Sequence, residues 1–107
     1  MPRKPIMNYM REFLGITGQD ADDLFDCFIE SFEELCQKLE SAIEQRDVME
    51  IRRVTHSIIG SSSNLGCEDI SQHAMDINTA AKSNDFEHMH QPMQKLKEHL
   101  EIFRSCK

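Results

Sequence analysis

The stretch RRVTHSIIGSSSNLG, residues 52–66, decides how this chain folds. Wound as a helix at about 100° per residue, it puts Ile51, Val54, Ile58 and Leu65 on one face, with Thr55 and Ser62 at its edge. That is the apolar stripe of an amphipathic helix. His56 falls on the opposite side, among Met49, Arg52, Arg53, Ile59, Gly60 and Ser63. A solvated face needs neither an interior glycine, which costs roughly 1 kcal/mol relative to Ala, nor bare Met49 and Ile59. Gly60, one turn after His56, removes side-chain bulk and lets another surface approach the imidazole; small Ser63 extends the clearing. Exposed apolar residues around such a spot mark a docking surface.

The flanks continue the helical pattern. Asp47 suits the N-cap of a helix from about Val48 to Ser63, and Asn64-Leu65-Gly66 suits its end, with Gly66 in a left-handed cap. Upstream, residues 20–46 read as the longest helix, with Asp20 as N-cap and Asp22 and Asp23 at the positive end of the dipole. Phe25, Phe28, Phe32, Leu35, Leu39 and Ala42 recur at steps of three and four, and Ile29, Cys36 and Ile43 widen the stripe. Downstream, Glu68 and Asp69 open a helix to about Ser83 with a narrow stripe of Ile70, Ala74, Ile77 and Ala81. After an Asn84-Asp85 turn, Phe86, Met89, Met93, Leu96, Leu100 and Phe103 repeat the spacing. Pro92 requires either a kink or a late start near Gln91.

No period-two run competes as a strand. Four amphipathic helices on short loops must be antiparallel neighbours, so the expected fold is all-α. It is an up-down-up-down four-helix bundle over residues 20–105, within a single domain over residues 1–107. The segment 1–19, with Tyr9, Met10, Phe13 and Leu14 between prolines and glycines, is expected to form a short helix capping one end, its first residues loose.

At 107 residues the chain holds one core and no separate substrate domain. Its 12 Lys and Arg against 19 Asp and Glu give a net charge of −7, which argues against nucleic acid and anionic membranes as partners. No apolar run approaches the roughly 20 residues of a membrane span. The N-terminus lacks the apolar core of an export signal, so a cytoplasmic setting is expected, with Cys27, Cys36, Cys67 and Cys106 as thiols.

A di-metal bundle site needs paired Glu-x-x-His motifs; Glu87 and His90 supply one and nothing supplies the second. His88, His90 and His99 are placed facing water, and no metal or cofactor is expected. Ser61, Ser62 and Ser63 lack a strand-turn-helix elbow and read as close packing rather than as a nucleophile. Gly60 and Gly66 lie within and after a helix, where the dipole has the wrong sign for an anion. What remains is the imidazole of His56 itself, which is a competent nucleophile toward phosphorus. Such a carrier needs exposure and room, while the partner supplies most of the transition-state electrostatics.

These residues resemble the histidine-containing phosphotransfer (HPt) domain family of phosphorelays. The resemblance runs from Leu24 to Glu87 and rests on LESAIEQRD followed by HSIIGSSSNLG, where histidine, glycine, the small-residue run and the final Leu-Gly agree in register. It implies that His56 is the phospho-acceptor and that Gly60 lets a receiver domain approach. It implies a carrier, not an enzyme, between a kinase-linked receiver aspartate and a response regulator; a monomer is expected because the apolar stripes are sized for one bundle. The family usually has Lys or Arg three residues after the histidine, where it helps neutralise the phosphoryl group; this chain has Ile59, with Arg52 and Arg53 one turn earlier as substitutes. Further on, where the family often carries Leu-Glu, Ile77 is followed by Asn78. The second departure is minor; the alternative that Ile59 leaves is an HPt-like module that binds a receiver or kinase without transferring phosphate.

Overall fold

In a computed structural model, residues 3–105 are described and form helices joined by short turns. They are α1 (Arg3–Tyr9), a π-helical turn (Met10–Leu14), α2 (Gly18–Glu44), α3 (Val48–Asn64), α4 (Glu68–Lys82), a 3-10 turn (Glu87–Met89) and α5 (His90–Arg104). Helix α2 packs on α3, α3 on α4, α4 on α5, and α5 closes back onto α2. The register of α3 against α4 is antiparallel: Thr55 lies opposite Asn78, and Ser62 opposite Ser71. The 27 residues of α2, at 1.5 Å each, run about 40 Å and account for the long axis of the 43 × 24 × 19 Å molecule.

One apolar cluster fills the bundle. Helix α2 contributes Phe25, Phe28, Ile29, Phe32 and Leu39; α3 contributes Ile51, Val54 and Ile58; α4 contributes Ile70, Ala74 and Ile77; α5 contributes Met93, Leu96 and Phe103. Phe103 meets Phe25, Phe28 and Phe32 with ring centroids 5.9, 5.9 and 6.2 Å away, edge to face in each case. Segment 3–14 does cap one end, since Ile6 and Met10 are buried in the same cluster. Phe13 and Leu14, on the same segment, remain exposed.

The turns follow from local chemistry. Asp47 caps α3 by accepting a hydrogen bond from the Glu50 amide on its side chain. Helix α3 ends with Gly66 at φ +73°, the Gly66 amide donating to the Ser63 carbonyl and the Cys67 amide to the Ser62 carbonyl. Pro92 sits in the first turn of α5, which starts late, so no kink is needed.

Three expectations are corrected. Helix α2 starts at Gly18, after Thr17, and not at a cap on Asp20. The chain there is set by Gly15 and Gly18, both at positive φ, and by the Ile16 amide, which reaches back to the Met10 carbonyl. The same helix ends at Glu44, and Arg46 takes a left-handed φ of 54° with its guanidinium 5.0 Å over the Phe86 ring. Finally, His99 does not face open water. It is half-buried beside His73 and Phe103, with ring centroids 5.7 and 6.3 Å away.

Cys27 is an exposed free thiol. Burial, followed by the charge of Glu40, pushes Cys36 up to about 12, and burial with Asp69 pushes Cys67 up to about 11. Neither is a thiolate at neutral pH. Cys106 lies outside the described residues. Among them, no helix is long and apolar enough to cross a membrane.

Candidate functional site

The site is built on the outer face of α3. Its inner face is locked by Ile51, Val54, Thr55, Ile58 and Ser62, all buried. Polar contacts then fix how α3 meets α4. Thr55 Oγ1 donates to the Ile51 carbonyl at 2.9 Å and lies 3.5 Å from Asn78 Oδ1. Ser62 Oγ donates to the Ile58 carbonyl at 2.6 Å and lies 2.7 Å from Ser71 Oγ, which also lies 2.9 Å from Ser63 Oγ. The serine run thus stitches two helices together, as close packing requires. With rotation of α3 fixed in this way, His56 has to point outward.

His56 is exposed, and among the described residues its imidazole has no hydrogen-bond partner. It lines an open cleft with Val48, Met49, Arg52, Arg53, Ser57 and Asn78. Four of the residues picked out by helical spacing, namely Met49, Arg52, Arg53 and His56, therefore meet in one place. Met49 is 83% exposed, a bare thioether beside the ring. Gly60 is exposed one turn beyond His56, and a Cβ built there would meet nothing within 4 Å.

Two residues of the expected surface are placed differently. Ile59 is only half-exposed and packs against the rim of the core, so it is not the bare apolar contact that the spacing suggested. Ser63 is exposed, yet its hydroxyl is committed to Ser71. Ile59, Gly60 and Ser63 continue the His56 face along α3 without lining the cleft.

Asn78 is the residue that helical spacing on α3 had no means of finding. It comes from α4, across the cleft from His56, and only the antiparallel register brings it there. No group of three or more His, Cys, Asp or Glu able to hold a metal ion exists among the described residues.

An exposed imidazole on the second long helix of an antiparallel bundle, followed by a glycine clearing, defines a class of protein. The Hpt domain family matches residues 23–106, and the chain belongs to that family: it is a histidine-containing phosphotransfer domain of the phosphorelay kind. Its fold is that of histidine-containing phosphotransfer protein B (HptB) from Pseudomonas aeruginosa PAO1, whose crystal structure superposes with a TM-score of 0.80 at 20% identity, covering 94% of this chain and 85% of that one. Comparison with curated proteins finds no match.

Proposed function

We propose that this domain is a phosphocarrier in which His56 accepts a phosphoryl group from one receiver-domain aspartate and passes it to another. The observation that carries the reading is the unpartnered, exposed ring of His56 opening onto a cleft, with open space above Gly60. In the transfer, the lone pair of an imidazole nitrogen attacks phosphorus. The bond from phosphorus to the aspartyl oxygen breaks, and its electron pair returns to the carboxylate. The reverse step delivers the group to the next aspartate. Met49, Gly60 and the outer edge of Ile59 and Ser63 form the contact surface, and positive charge comes from the turn that carries Arg52 and Arg53. Catalytic power comes from the receiver, so the domain acts as a carrier and not as an enzyme. A monomer of one domain over residues 1–107 goes with this reading, because the apolar stripes of α2–α5 are spent on a single core.

The test is to incubate the protein with a phosphorylated receiver domain and Mg²⁺. Acid-labile phosphate is expected on the wild type and none on His56→Gln. Equal labelling of the variant would refute the site.

A second reading is favoured by Ile59. Position 59, three residues after His56, holds an isoleucine packed against the core rim where a cation would stand. On this reading the domain binds a receiver and transfers nothing: binding survives His56→Ala, and neither wild type nor variant is labelled.

A further inference from the structure

Spacing alone leaves Arg52 and Arg53 equivalent, since both lie one turn before His56. The structure separates them. Arg53 is engaged: its Nε donates to Oε1 of Glu50 in a short ion pair. That hydrogen bond, reinforced by the opposite charges, raises the Arg53 pKa and lowers that of Glu50. Glu50 lies one turn toward the start of α3 and His56 one turn toward its end, so the bond draws the Arg53 guanidinium away from the imidazole. Both arginines line the cleft with His56, but Arg52 has no hydrogen-bond or ion-pair partner among the described residues. Helical side chains lean toward the helix N-terminus, so the His56 ring leans over the turn that carries both arginines, and the Glu50 pair is what separates them.

We propose that Arg52 is the positioning residue that holds the phosphoryl group once it sits on His56, and that Glu50 keeps Arg53 out of that role. The inference rests on the reading of His56 as acceptor. A phosphoryl group brings about −1.5 to −2 charges at pH 7 and three acceptor oxygens. A guanidinium meets two of those oxygens at once through its planar fork, which a point charge cannot do. Glu50 and Arg53 then form a neutral pair, and Arg52 is left as the uncompensated cation of the cleft.

The experiment is ³¹P spectroscopy of the phosphoryl resonance at pH 8 after treatment with phosphoramidate, which needs no partner protein. The resonance of phospho-His56 is identified by its loss in His56→Gln. A guanidinium held on the phosphoryl oxygens draws on their charge, so Arg52→Gln is expected to shift the resonance at fixed pH. Arg53→Gln is expected to move it much less. Arg52→Lys restores part of the shift, and adding Glu50→Gln to Arg52→Gln frees Arg53 and restores part of it too. An unmoved resonance in Arg52→Gln, or equal shifts in the two glutamine variants, overturns this inference and leaves His56 as acceptor. A His56 that takes no phosphoryl group from phosphoramidate or from a phosphorylated receiver overturns both.

Discussion

His56 and His99 carry the same ring into opposite surroundings. His56 stands on the outer face of α3, exposed, with no hydrogen-bond partner among the described residues. His99 lies on α5, half-buried, with His73 on one side and Phe103 on the other. Burial, and then the neighbouring His73, lowers the His99 pKa. One ring is kept out of the packing and the other is drawn into it. The difference teaches that the bundle does not depend on His56: α3 is oriented by its buried face, and His56 is carried as a passenger on the far side.

Three measurements break or sharpen that contrast. The largest effect is expected at Phe103, which is 2% exposed and touches three phenylalanine rings as well as His99. Phe103→Ala should cost about 3–5 kcal/mol in denaturant unfolding, whereas His56→Ala should stay within about 0.5 kcal/mol. Comparable losses would mean that His56 is part of the framework after all.

Next comes Gly60, an interior helical position with open space where a Cβ would stand. Gly60→Ala should stabilise the fold by about 0.5–1 kcal/mol, because it removes the entropy cost of glycine in a helix. The added methyl group should at the same time slow phosphotransfer from a receiver. A variant that is more stable and equally fast would remove the reason given for the glycine.

The smallest effect is a pH dependence at His99. The lowered pKa belongs to the folded chain, so the unfolded chain binds the proton at a higher pH. Stability should therefore fall as pH drops through the ordinary histidine value of about 6.5 toward the lowered one. Unfolding midpoints of wild type and His99→Gln, compared at pH 8 and pH 5.5, isolate this part. If the variant loses as much as the wild type, His99 does not carry it.

The helices were legible because burial follows a period that the sequence displays. Phe25, Phe28, Phe32 and Leu39 point inward where their spacing puts them, and Asp47 and Gly66 end their helices by local chemistry. His56 was legible for the same reason. Periodicity fixes the direction of a side chain, but it does not fix how much of the circumference the neighbours cover. Ile59 is half-covered by the core rim and His99 by the groove beside His73, and both depend on the width of the adjacent helices. Asn78 depends on register between α3 and α4, which no single helix encodes. The start of α2 moved for a related reason: the preceding turn, held by the Ile16 amide on the Met10 carbonyl, decides where the helix begins.

Gly66 has a consequence for how this domain is cut. A Cβ at that position would lie 2.5 Å from the Tyr9 ring, so the α3–α4 corner and the leading segment are moulded against each other. With Ile6 and Met10 seated in the same core, a fragment trimmed to the family boundaries at 23–106 would lose the lid of its own interior. Expression of that fragment should yield a loosened, aggregation-prone bundle, while one that begins ahead of Ile6 keeps its plug.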